Sequence, residues 1–366
     1  MPAITYGFYR INDDGTTTAI PAGCVTGGTI RDNRQNLTDP VTVSTGTLYG
    51  RLPSSMPTIA VGTGIRITRS GLVNDTTDLR VNNYTVHYGL VANADTWTME
   101  LEDVLADIGR ASVTVSWSAG STTQAAAQLV SNAVGISLDA ITPDPSNSTV
   151  SAQSFTNENA MTIVRRLAQT EEGRVYSVGA VLSGSTTEWY WAFTDRDRAY
   201  TTVDGVFQDG TVGTPDYSMQ IKYQVNNFAG IGDNYADTVT VEPAGLADQT
   251  AGTGYRNYSV QTYDSSTTQA LNNAQYLAAE LAETLPGPRS LSFLAEAQDS
   301  HPKTWGDVIT IYFRGSTYYA AVIGTTETFT QDSTRFTLDL VPGGQVAWLK
   351  LNDNVLGRLD YNKLGF

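Results

Sequence analysis

Phe155–Arg198, FTNENAMTIVRRLAQTEEGRVYSVGAVLSGSTTEWYWAFTDRDR, decides the fold because its hydrophobic period changes once, from helical to alternating. Asn157 is placed to cap a short helix, its side-chain oxygen accepting from backbone N–H groups two or three residues on. Ala160, Ile163, Val164, Leu167 and Ala168 then recur at helical spacing, and Gly173 stops the helix where a left-handed residue is favoured. From there Arg174–Val181 alternates as one strand, Ser183-Gly184-Ser185 turns, and Glu188–Phe193 returns. Alternation puts Trp189, Trp191 and Phe193 on one face, as a core requires. This unit reads as scaffold.

Toward the N-terminus, residues 1–118 read as almost pure β. Ile4–Arg10 is an aromatic strand, and Val41–Arg51 largely alternates. Ile59-Ala60-Val61 leads through Gly62-Thr63-Gly64 into Ile65–Thr68. Tyr84–Val91 and Thr96–Leu101 form a hairpin, and Ala111–Trp117 closes the block. Short strands with turn signals at this spacing indicate a barrel or sandwich. Residues 119–204 form an α/β part. Its first helix, Thr122 to Val134, carries Ala126, Leu129, Val130 and Ala133 on one face and ends at Gly135.

Beyond the hairpin, residues 205–345 read as a second barrel. Gly205–Pro215 is a loop, followed by short strands at Met219–Val225, Thr238–Val241 and Tyr258–Tyr263. The longest helix, 267–285, is stopped by Pro286-Gly287-Pro288. Strands follow at Ser290–Ala295, Val308–Phe313, Ser316–Thr325 and Arg335–Leu340. Residues 346–366 are an apolar tail expected to dock on its own chain or a partner, since exposure would leave an aggregation-prone patch.

Composition narrows the function classes. Charged residues are 16% of 366, below the ~25% of typical soluble proteins. The net charge is −15, from 37 acidic and 22 basic residues, and Lys is scarce. Sequence-specific nucleic-acid binding needs clustered Lys and Arg, so it is not expected. Cys24 is the single cysteine, which excludes an internal disulfide. The start, MPAITYGFYRINDD, lacks a basic region followed by an apolar core, and no window approaches the ~18 apolar residues of a membrane span. The expectation is folding in a reducing cytoplasm, with no membrane span.

Candidate chemistry is thin. A Ser–His–Asp arrangement needs a histidine base, and only His87 and His301 exist. His87 sits in an alternating strand and His301 in a loop. Gly62-Thr63-Gly64 and Gly252-Thr253-Gly254 lack the Lys-Ser/Thr tail of a phosphate-binding loop. The constellation with most content is Asp195-Arg196-Asp197-Arg198 beside Trp189, Tyr190 and Trp191, since carboxylates next to aromatics hold and cleave sugars. The interleaved arginines and the core-facing indoles favour structure there. No residue is expected to be catalytic, cofactor-binding or metal-ligating; no cofactor is implied and no enzyme activity is expected.

Four segments resemble the minor tail, or tail hub, proteins of long-tailed actinobacterial bacteriophages. They are Thr29–Arg34 through Tyr49 with Met56–Gly62 and Ile65–Ile67; the helix and hairpin ending Trp191-Ala192-Phe193-Thr194-Asp195-Arg196; Tyr258–Thr262 leading to the exit Pro286–Arg289; and Trp305–Thr310 with Ala321–Gly324, ending at Trp348, Leu356-Gly357 and Leu364-Gly365. Order and spacing cover most of the chain. The longer turn Ala180–Thr187 departs from the short acidic-Gly turn of that family.

The resemblance implies a mainly β, α+β chain: two β-barrel-like domains joined by mixed α/β parts. It implies a homotrimer ring that joins a six-fold tail tube to a three-fold tip around the DNA exit channel. The implied partners are the chain itself, the distal tail protein or tail tube, the tape measure protein, and other minor tail and receptor-binding proteins. The implied location is the virion tail tip, after assembly in the host cytoplasm. The alternative is a carbohydrate-binding or glycan-cleaving tail protein acting on the host surface.

Overall fold

The computed structural model describes residues 4–21, 23–33, 41, 43–53, 55–70, 75–90, 94–139, 148–171, 173–183, 185–194, 201–208, 218–220, 227–232, 238–241, 257–266, 268–270, 287–294, 307–313 and 316–342. The chain is mainly β with a few helices. Strands β1 (Thr5–Ile11), β2 (Thr17–Ala19), β3 (Val25–Asn33), β4 (Thr45–Arg51), β5 (Gly64–Ser70), β6 (Asp75–His87) and β7 (Thr96–Glu102) lead to a short helix α1 (Leu105–Arg110). They lie in the order β3-β4-β7-β6-β5-β1-β2, and every adjacent pair is antiparallel. Ile59-Ala60-Val61, expected in a strand, lies outside one. Gly62 and Thr63 turn the chain there, hydrogen-bonded to Val81.

The alternation that selects β structure also selects the core. Leu48, Ile65, Ile67, Leu79, Val81, Trp97, Met99 and Leu101 all point inward, each 2% exposed or less. Burying a side chain of this size contributes about 1.5–3 kcal/mol. Past β7, the carboxylate of Asp103 accepts from Ser44 N–H at 2.8 Å and Leu105 N–H at 3.0 Å. It starts α1, a helix the periodicity does not show.

A ribbon follows. β8 (Ser112–Trp117) and β9 (Ser121–Thr122) pair with β12 (Gln153–Asn159) and β11 (Thr149–Val150), enclosing α2 (Thr123–Val134) and β10 (Ser137–Leu138). Gly135 ends α2 in the left-handed conformation, as expected. The buried face of α2 is Thr123, Ala126, Ala127, Val130 and Ser131, whereas Leu129 and Ala133 are exposed. The apolar stripe is therefore rotated from the expected one, because two small alanines let α2 approach its neighbours on that side.

Helix α3 (Ala160–Thr170) buries Ile163, Val164, Leu167 and Ala168, as the spacing predicts. Its cap is a correction. Asn159, not Asn157, accepts Thr162 N–H at 3.1 Å. Phe155 to Asn159 belongs to β12, and Asn157 sits at φ 56° in the bulge of that strand. Pairing with β8 delays the helix by two residues.

The hairpin β13 (Arg174–Ser183) and β14 (Thr186–Thr194) matches its expected outline. The last part holds β15 (Thr201–Gln208), β16 (Ser218–Gln220), β17 (Asn227–Gly232), β18 (Thr238–Val241), β19 (Asn257–Thr262), β20 (Gly287–Leu294), β21 (Asp307–Phe313), β22 (Ser316–Thr330) and β23 (Thr334–Pro342). Residues 201–208, expected partly as loop, form β15, which pairs in parallel with β21. Gly287 and Pro288, expected as a helix stop, open β20. Of the expected helix 267–285, only 268–270 are described, and they are helical. The remainder, and the tail 346–366, lie outside the described residues.

The strand β22 ties the two ends of the chain together. Its first half pairs with β21 and its second half with β3, while β23 pairs with it from Ala320 to Phe329. The bulge between Val322 and Gly324 inserts one residue and reverses which side chains face in. Ala320 and Val322 therefore pack into a core with Leu291, Ile309, Phe336, Leu338 and Leu340, whereas Phe329 packs into the N-terminal core. A Cβ on Gly324 would stand 3.0 Å from Asp339 Oδ2, so a small residue suits the bulge. No backbone pairing among the described residues closes the N-terminal sheet into a barrel. Side chains bridge the gap instead, from β1 and β5 to β22.

Candidate functional site

Two places concentrate polar groups. The first is the bridge just named. Period two puts Arg69 inside, in register with Ile65 and Ile67, and puts Glu327 inside with Phe329. A charge at an inward position is tolerated only when paired. Arg69 donates to Glu327 at 2.6, 2.8 and 3.0 Å and to Thr77 Oγ1 at 2.9 Å. Tyr6 Oη donates to Glu327 Oε1 at 2.5 Å and lies 3.0 Å from Thr334 Oγ1. Burial, then the adjacent carboxylate, pushes the Tyr6 phenol up, so it stays protonated as a donor. The Tyr6 ring stacks on Phe329 at 4.3 Å.

The second is the indole-bearing hairpin and its cleft. Gly179 occupies the β13 bulge at φ 103°, a conformation that favours glycine, and a Cβ there would meet Asp78 at 3.1 Å. That close approach lets Asp78 accept Ala180 N–H at 3.1 Å, while Arg66 holds Asp78 at 2.7 and 2.8 Å and donates to Ala180 O at 3.2 Å. At the tip, Thr187 N–H donates to Asp13 O at 2.9 Å and Thr187 Oγ1 to Asn12 O at 2.7 Å. The hairpin is thus fastened to β6 and to the β1–β2 turn.

Its two faces differ. Trp191 is fully buried among α2 and α3, and Phe193 packs on the same core. Trp189 is half-buried beneath Arg80, whose guanidinium lies 5.0 Å from the ring centroid and also pairs with Asp107. A cleft of about 850 Å³ is lined by residues of α2, of β13 and of the parallel-paired β10 and β14. Glu188 there accepts from Tyr190 Oη at 3.0 Å and Ser137 Oγ at 3.1 Å. The Tyr190 bond first, then Ser137 and Ser183, holds the Glu188 carboxyl below its usual range.

The sequence candidates do not converge. His87 ends β6 exposed, and Cys24 is a buried free thiol whose burial pushes it up. His301, Asp195–Arg198 and Gly252–Gly254 lie outside the described residues. Among the described residues, no group of three or more potential ligands could hold a metal ion, and no helix is long and apolar enough to cross a membrane. Sequence reasoning missed Arg69 and Glu327, 258 positions apart, for which only the continued alternation through Ile65 and Ile67 offered a signal. It also missed Arg66 and Asp78, which oppose each other directly across β5 and β6.

No protein-family model matches the chain, and no curated protein matches it. Solved structures share its fold. A tail protein from Neisseria meningitidis MC58 aligns with a TM-score of 0.59 at 10% identity, over 92% of this chain and 96% of that one. The 43 kDa tail protein of prophage MuSo2 from Shewanella oneidensis gives 0.58 at 11%, over 92% and 98%. The E. coli c3393 protein, a type VI secretion component described as structurally similar to T4 tail proteins gp27 and gp5, gives 0.51 at 12%, over 87% and 73%. The fold is that of phage tail proteins and their secretion-system counterparts.

Proposed function

We propose that this chain is a structural, non-catalytic virion protein: the hub of a bacteriophage tail tip. Its copies form a three-membered ring that joins the six-fold tube to the three-fold tip and surrounds the DNA exit channel. The observation that carries this reading is the likeness of fold to tail proteins over 92% of the chain, with nearly all of the other chain covered as well. The c3393 description, with its likeness to the T4 tail proteins gp27 and gp5, supports a tail role.

Composition agrees. Few charges and many strand edges suit a surface covered by neighbours. The acidic balance suits a channel along which DNA slides. The ring would contact the tube or distal tail protein above, the tape measure protein within, and other minor tail and receptor-binding proteins below. An actinobacterial host belongs to the same proposal. So does the division at residues 118, 204 and 345, in which the third part lends β22 to the first.

A glycan-cleaving role fits less well. It needs a carboxyl group held protonated beside a second carboxylate. Glu188 is held ionised instead. Imaging of the assembled particle with a label at residue 366 tests the hub reading. Three copies at the tail tip are expected; a label in the capsid or along the tube overturns it.

A further inference from the structure

We propose that the cleft lined by α2, β10 and the β13–β14 hairpin binds a short, uncharged oligosaccharide, a role additional to assembly. Its volume of about 850 Å³ falls in the ~300–1,000 Å³ range of ligand pockets. The walls combine the two features that recognise a polyol: flat apolar surface and convergent hydrogen-bonding groups. Trp189 and Tyr190 supply the first, extended by Val178 and Val181, which are 40% and 42% exposed.

Three groups supply the second. Glu188 is aimed by its bonds to Tyr190 and Ser137, and as a carboxylate it accepts hydroxyl protons. On the exposed side of α2, Gln128 Nε2 donates to Asn132 Oδ1 at 3.0 Å. That bond leaves the Gln128 carbonyl and the Asn132 amide nitrogen turned to other uses, one acceptor and one donor.

Charge selects the class. Glu188 and Asp139 both line the cleft, and Arg80, the one arginine among its described lining residues, is engaged by Asp107 and the Trp189 ring. An anionic sugar would meet two carboxylates in a chain of net charge −15, so a neutral one is favoured. The hairpin wall is fastened at its bulge and at its tip, so binding there orders little. A peptide strand is a poorer fit, since β10 offers a ladder of only two residues, Ser137 and Leu138.

The test uses the full chain with maltotetraose, cellotetraose and triacetylchitotriose, read by calorimetry and by saturation transfer to ligand protons. At least one is expected to bind saturably with Kd near ~1 mM. Asn132→Ala and Glu188→Gln, with unfolding midpoints checked, are expected to weaken it roughly tenfold each, since each removes a directed bond. No saturable binding of any probe up to about 10 mM overturns the proposal. So does binding that both variants leave unchanged, or a loss of self-association in place of sugar binding. Variant particles that assemble normally yet lose the sugar separate this role from the hub.

Discussion

Replacing Glu327 by Gln keeps the shape of the side chain and removes its charge. Arg69 then stays inside the N-terminal core, with side-chain exposure of 7% against 4% for residue 327, and loses the Glu327 charge. The three Arg69–Glu327 contacts become at most two bonds to one uncharged amide oxygen, and the Tyr6 hydroxyl must reorient. Breaking a buried pair from one side costs about 3–5 kcal/mol. Replacing both partners by apolar residues, Arg69→Met with Glu327→Leu, is expected to cost far less, or to stabilise by about 1–4 kcal/mol. Urea unfolding suits the assay because urea adds no salt, and Trp97, 1% exposed in the same core, reports by fluorescence. The two singles and the double complete a cycle whose coupling should be several kcal/mol. A cost for Glu327→Gln below ~1 kcal/mol, the range of exposed pairs, would refute the buried bridge. Simple additivity would do the same.

Three further outcomes are expected. Asn159→Ala should lose about 1 kcal/mol in thermal unfolding through its cap of α3, whereas Asn157→Gly should gain slightly because it relieves a left-handed residue; equal effects would contradict the reassigned cap. Gly179→Ala should cost about 1–3 kcal/mol and release the hairpin from Asp78, seen as faster hydrogen exchange at Ala180. Burial pushes Asp103 up to about 7 against the hydrogen bonds from Ser44 and Leu105, and Asp264 up to about 6. The folded chain therefore holds protons that the unfolded chain releases from about pH 4 upward. Stability should fall as pH rises toward 7, by up to about 1.4 kcal/mol per unit for Asp103, and Asp103→Asn should flatten that slope.

Much of the middle of the chain was legible because its signals are local. The change of period after α3 fixes the hairpin, and the alternation of Trp189, Trp191 and Phe193 fixes its inward face. Gly135 marks the end of α2 for the same reason. Distant partners decide the rest. Asn159 and Asn157 look equally able to cap, and only the pairing of β12 with β8 chooses between them. Helix α1 rests on Asp103 meeting Ser44, a contact no window contains. The cleft was half-visible, since Glu188, Trp189 and Tyr190 are adjacent in sequence. Its other wall, Gln128 and Asn132, comes from a helix whose exposed side has no sequence tie to the hairpin.

The strand shared between the two cores sets a timetable for the chain as it leaves the ribosome. β3 is complete at Asn33, but the strand that covers its outer edge begins at Ser316. Some 280 residues intervene, which at ~5–20 residues per second is on the order of 15–55 s. Through that interval the nascent N-terminal sheet keeps a bare flank and lacks the Glu327 carboxylate that Arg69 meets in the finished fold. Truncated products should therefore be captured by chaperones or precipitate, and only the finished polypeptide should enter a particle.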